Sequence, residues 1–254
     1  MTKEQWNAFT TFRSRFRDQC KFWGETAQNM APPGWLASLQ KEAADADETP
    51  PYPIETPIVY NQALDSVVEG DEIKMILVGD NPGKDEQLAV NRRYLVGQAG
   101  KLSDGFFRKA PELGIDFRKN VIILNKTPIH SAKTKQLGFI QKKSGAPFIA
   151  LFEETQKWMA RETAALQKGL DCELWLVGYG ELRAGNLFSV YAEELGKQYI
   201  ESGDFRGINS VRLYQHFSMN RFSIDLTQHY LKNLSLTDNL KAIGYFHRNE
   251  ILGW

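Results

Sequence analysis

Asp80 and Asn81 follow the apolar run IKMILVG, Asn125 ends VIILN, and His216 closes VRLYQH. The amide of Asn125 offers a donor and an acceptor, which suits the edge of an amide-like heterocycle. An imidazole at His216 can donate to, or carry charge beside, an oxygen that becomes anionic. Asp80 and Asn81 sit in the turn Gly79-Asp80-Asn81-Pro82-Gly83. Pro82 has no backbone donor for a ladder, and the glycines allow conformations closed to other residues, so the strand must stop here. A second glycine cluster, Gly97-Gln98-Ala99-Gly100, follows and leads into an amphipathic pattern.

Such residues do chemistry together only if the chain brings them to one place. Four short apolar runs, over 73–78, 121–124, 174–177 and 211–214, have the character of strands buried on both faces. Helical spacing separates them over 101–110, 147–167 and 180–194. This alternation predicts a three-layer α/β/α sandwich with a central, mostly parallel, four-stranded sheet. In a parallel sheet all four endings face one edge, where open α/β sheets bind ligands. Upstream, an aromatic stripe predicts a helix over 3–30, stopped by Pro32-Pro33-Gly34, and a second helix over 35–46. The proline-rich stretch 48–58 is expected to run extended on the surface. Residues 222–254 read as one or two closing helices. The division is an N-terminal helical segment with its connection, 1–60, packed on an α/β/α domain, 61–254.

Hydrophobic residues make up 42% of the 254, enough for a sizeable core. Lys plus Arg and Asp plus Glu number 31 each; the formal net charge of zero neither supports nor excludes nucleic acid. Cys20 and Cys172 form no CxxC pair, which excludes a thiolate metal site and suits a reducing compartment. The first twenty residues are too charged for a signal peptide, and no apolar run is long enough to cross a membrane. The expectation is a cytoplasmic monomer without metal or organic cofactor.

The ordered set of motifs resembles the uracil-DNA glycosylase superfamily over roughly residues 73–221, most nearly the family 4 type. The set comprises the GxxPG loop, the downstream acidic Glu86, and Val96-Gly97-Gln98-Ala99-Gly100. Asn125-Lys126-Thr127-Pro128 follows, and a late strand ending in His216 precedes Ser218 and Arg221. The chain departs from the family in having two cysteines where a cluster-bearing member has four, which excludes that iron-sulfur cluster. Leu95 stands where the family has a base-stacking phenylalanine, with Tyr94 beside it. Phe217 replaces a proline, and the loop to Arg221 is one residue shorter.

The resemblance implies hydrolysis of the N-glycosidic bond of uracil, or a related deaminated base, flipped out of DNA during base excision repair. His216 would stabilise the departing base at O2. Asn125, with Gly79, Tyr94 and Leu95, would form the base pocket and reject cytosine. Asp80 or Asn81 would stabilise the cationic sugar or hold the water, and family members divide on which. Contacts to DNA would fall to Gly97, Gln98, Gly100, Lys126, Ser218, Met219 and Arg221, with Met219 or Phe217 as a wedge.

Each residue also has a plainer reading. Asp80 or Asn81 can cap the turn, Asn125 can satisfy loop backbone, and His216 can be an ordinary half-buried histidine. His130 lies outside the family pattern and is expected to be a surface or loop residue. The basic residues 133–143 are expected in a solvated loop. Two rival functions stand beside the glycosylase. One is a non-catalytic nucleic-acid-binding member of the same fold. The other is a small-molecule nucleoside hydrolase, which lacks any GxSxG elbow or Cys-His pair to serve it.

Overall fold

The four apolar runs form four strands: β1 (Met75–Gly79), β2 (Val121–Asn125), β3 (Glu173–Val177) and β4 (Val211–Tyr214). The computed structural model describes residues 1–30 and 32–254. Each strand is almost wholly buried, as runs without a polar face require. All pairings are parallel, in the order β2-β1-β3-β4. The chain leaves β1 for β2 on one side and then returns past β1 to β3. Carboxyl ends therefore diverge between β1 and β3, at a topological switch point.

Right-handed crossovers with this strand order place helices on both faces. On one face α3 (Gln98–Lys109) meets α8 (Arg221–His229), and α9 (Leu236–Leu252) packs on β4. Phe107 of α3 lies 5.7 Å from Trp175, and Phe106 lies 4.8 Å from Phe222. On the other face α5 (Ala146–Leu170) packs against α6 (Ser189–Ser202). The α/β/α sandwich read from the sequence is the observed architecture.

The N-terminal helices are α1 (Lys3–Asn29) and α2 (Trp35–Ala46). The α1 stripe Phe9, Phe12, Phe16, Cys20 and Trp23 is buried, and Phe16 stacks on Trp158 of α5. Thr2 and Gln5 close a reciprocal cap at its start. No described helix is long and apolar enough to cross a membrane.

One local expectation is corrected. Of residues 133–143, expected as solvated loop, all from Lys135 on lie in α4 (Lys135–Ser144), whose Leu137 and Ile140 are buried. A short α7 (Phe205–Asn209), for which the sequence carried no expectation, precedes β4. The proline-rich connection is also less free than expected at its end. Ile58 is buried and bridges Ile129, while the Gln87 amide binds the N–H groups of Glu55 and Thr56 and the carbonyl of Pro53.

Candidate active site

A cavity of about 650 Å³ opens at the carboxyl edge of the sheet, and all four strand ends contribute to its wall. Asp80 and Asn81 come from β1, Asn125 from β2, Gly178 from β3, and Gln215 with His216 from β4. The convergence follows from register: Gly79 pairs with Asn125, Val78 with Leu176, and Val177 with Tyr214. The Gly79–Asn125 pairing also explains the glycine. A Cβ there would lie 2.6 Å from Asn125 Oδ1, so any side chain would push the amide out of place.

The two residues of the first turn are held differently. Asp80 Oδ1 lies 2.5 Å from Nζ of Lys126, and its other oxygen accepts from Thr134 at 3.4 Å. Lys126 is fully buried, donates to the Val177 carbonyl at 2.6 Å, and sits over the Phe188 ring. It stitches the ends of β1, β2 and β3 together. Lys126 is thus not a DNA-facing cation, because its ammonium is used up inside the protein. Asn81 Nδ2 donates to Ser131 Oγ at 2.9 Å and to the carbonyls of Ser131 and Pro82 at 3.1 Å. Its Oδ1 has no partner among the described residues.

Asn125 is 2% exposed, yet its Nδ2 has no hydrogen-bond partner among the described residues. A buried donor left unpaired costs about 1–3 kcal/mol, so a wall of the cavity carries an unmet demand for an acceptor. His216 is oriented from the opposite end of the sheet. Its Nδ1 accepts the Ser218 N–H at 3.1 Å and lies 2.7 Å from Ser218 Oγ. The neutral ring then carries its proton on Nε2. Burial pushes its pKa below the ordinary imidazole range; Asp80 opposes this, while Lys126 and Arg221 reinforce it. The ring is a neutral donor.

Glu86 also lines the cavity, and the sequence pointed to it only as part of a motif. Its carboxylate accepts from Leu95 N–H at 2.9 Å and Gly83 N–H at 3.2 Å, tying the first turn to the second. Burial lifts its pKa to about 7 against those two bonds. Leu95 lines the cavity with φ +53°, a strained value for a bulky residue. Gly100 is needed there: a Cβ would meet the Leu95 carbonyl oxygen at 1.6 Å.

Other expectations divide. Gly97, Gln98, Ser218, Met219 and Arg221 line the cavity; Gly79, Tyr94, Gly100 and Lys126 do not. Tyr94 points into the core and donates to the Val59 carbonyl at 2.6 Å, so it cannot stack on a ligand. Phe217 is likewise buried, stacked 4.2 Å from Phe222, and is no wedge. Met219 is 68% exposed, at φ +54° beside Asn220 at φ +56°. His130 is buried rather than on the surface. Its ring bridges the Pro82 carbonyl and the Tyr52 hydroxyl, and burial lowers its pKa to about 4. It braces the turn behind Asn81.

Around the mouth, Lys133 and Lys135 line the cavity but pair with Asp47, and Lys143 pairs with Glu42. Arg93 lies elsewhere, with Arg118 in a second cavity of about 320 Å³ beside β2. Gly97 begins α3 without a side-chain cap, and Gln98 and Ala99 also line the cavity. The unpaired N–H groups of a first helical turn suit an anion there. Ser131, Thr134 and Gln215 were not anticipated. Gln215 directly follows β4, but Ser131 and Thr134 lie six and nine residues beyond β2, so nothing in the sequence singles them out.

No protein-family model, curated protein or solved structure matches this chain.

Proposed function

We propose that the chain is a DNA glycosylase that hydrolyses the N-glycosidic bond of uracil, or of a related deaminated base, flipped out of DNA. The observation that carries this reading is the unpaired, buried amide of Asn125 in the same cavity as the neutral His216 donor. Uracil offers matching groups: O4 and N3–H along one edge for a carboxamide, and O2 for an imidazole N–H. Cytosine presents an exocyclic amine where O4 would be, and Asn125 Nδ2–H would face another donor.

In this reading the C1′–N1 bond breaks with positive charge on the sugar and negative charge spreading onto O2. His216 Nε2–H is aimed at that oxygen without first having to lose or gain a proton. A fixed donor of this kind is worth about 10²–10³ in rate. Asn81, its Nδ2 held by Ser131, turns Oδ1 to accept a hydrogen bond from the water that attacks C1′, and the proton this water sheds ends on the departing base anion. Asp80 faces the sugar as a carboxylate whose charge Lys126 partly offsets, so we assign the water to Asn81. A DNA phosphate meets the uncapped start of α3, and Met219 enters the gap the base leaves.

One observation favours a second reading. No Phe, Tyr or Trp side chain lines the cavity among the described residues, and Leu95 stands where stacking would be expected. Base stacking on an aromatic is worth about 1–3 kcal/mol. Without it, a protein that senses a flipped base but does not cleave it is the natural competitor. Single-turnover assays on end-labelled oligonucleotides with one uracil, single-stranded, U:G and U:A, decide the matter. Alkali-labile sites in the wild type support the glycosylase. Tight binding of uracil DNA with no released base would leave the sensing role instead.

A further inference from the structure

We propose that Asp225, His229 and His247 form a site for one Zn²⁺ ion that clamps α8 to α9, independently of the cavity chemistry. The chain has four histidines, and two of them converge on one buried carboxylate. Asp225 and His229 are one turn apart on α8, and His247 projects from α9. His247 Nε2 lies 3.0 Å from Asp225 Oδ2, and His229 Nδ1 lies 3.3 Å from Oδ1. The three ligand atoms fall within 4.8 Å of one another, the one such group among the described residues. A tetrahedral Zn²⁺ with bonds of about 2.0–2.2 Å holds neighbouring ligand atoms about 3.3–3.5 Å apart. His229 Nδ1 also lies 2.9 Å from the Asp225 carbonyl oxygen, a hydrogen bond whose proton the ion would displace.

Hydrogen bonding alone leaves one atom unexplained. His247 is almost fully buried, and its Nδ1 has no partner among the described residues. If Nε2 donates to Asp225, Nδ1 is an acceptor with no donor. With Zn²⁺ on Nε2, the proton moves to Nδ1, whose neighbour is Glu250 Oε2 at 3.9 Å. A carboxylate behind a ligating imidazole is the usual outer partner of zinc histidines. Two imidazoles and one carboxylate, with no thiolate, suit Zn²⁺, and a water completes the coordination. The sequence expectation of a metal-free protein came from the cysteines alone. The spacing of histidines across two helices does not reveal itself until the helices pack.

The site lies one layer behind the cavity wall. The ring of Tyr179 sits 4.7 Å from that of His247, and its hydroxyl accepts from Gln215, a cavity residue. α8 itself begins at Arg221. The ion would fix the helix on which the late loop ends.

Chelator-treated full-length protein, titrated with Zn²⁺ by calorimetry and with Co²⁺ by visible absorption, tests the proposal. The wild type should take one equivalent, develop tetrahedral Co²⁺ bands, and gain thermal stability with Zn²⁺. His229→Ala removes a half-exposed ligand, a change the fold can absorb. It should weaken Zn²⁺ by more than about tenfold, the loss seen even for outer partners. Asp225→Asn should do the same. Absence of stoichiometric binding in the wild type overturns the site. So does Zn²⁺ binding of wild-type strength in both variants.

Discussion

The two walls of the cavity are built in different ways. On the β1–β2 side, Asp80 and Asn81 are each held by a residue distant in sequence. Lys126 holds Asp80 and reaches β3, Ser131 holds Asn81, Glu86 joins two glycine loops, and His130 braces Pro82. On the β4 side, His216 is oriented by Ser218, two residues on, and the next two residues take left-handed conformations at the surface. Beneath them lies an aromatic stack of Phe106, Phe217 and Phe222. The first wall is prebuilt and costly to alter. The second is local, and its tip can change without disturbing the sheet.

This contrast predicts that substituting the groups that brace the first wall reads out as stability, and substituting the second wall as rate. Lys126→Met should give the largest effect, a loss of about 3 kcal/mol in urea unfolding, because Asp80, its side chain only 12% exposed, is left without its cation. Adding Asp80→Asn should recover part of that loss. An unchanged unfolding midpoint in Lys126→Met would erase the distinction between the walls.

His216→Ala comes next. It should slow base release by about 10²–10³ while leaving stability within about 1 kcal/mol. A large drop in stability would mean that the second wall is not local after all.

Glu86→Gln sharpens the first wall through pH. The native carboxyl titrates near 7, above its ordinary 4.5. A raised pKa means the proton binds the folded state more tightly. The stability it contributes is complete below about pH 4.5 and is lost as pH rises through 7. Glutamine does not titrate, so the variant should gain on the wild type between pH 4.5 and 7, by about 3 kcal/mol in all. A constant difference across that range would show that Glu86 is not held protonated by burial.

Met219→Ala should give the smallest effect, about 1 kcal/mol or roughly fivefold in affinity for uracil-containing duplex, since only part of its apolar surface becomes buried. Stability should not change.

The sequence carried the first-order layout because it depends on positions alone. Four apolar runs separated by helices imply parallel strands, and parallel strands bring Asp80, Asn81, Asn125 and His216 to one edge. What it did not carry is the direction and charge state of side chains. Tyr94 is one residue from a cavity-lining leucine, yet it turns inward to Val59. Lys126 looks like a phosphate ligand until three strand ends enclose it. α4 was hidden because between Lys133 and Lys143 only Leu137, Phe139 and Ile140 are large and apolar among many charges. Glu86 stood in a motif, but it is burial, seconded by the Asp85 charge, that raises its pKa.

The central claim is that Asn125 and His216 grip the same base from two walls. Free base released from a uracil oligonucleotide, followed under single turnover for wild type, Asn125→Ala, His216→Ala and the double variant, tests it most directly. The account predicts release by the wild type, large losses in each single variant, and a double variant less impaired than the product of the two. Release by a folded wild type that survives both substitutions would contradict it, as would no release at all.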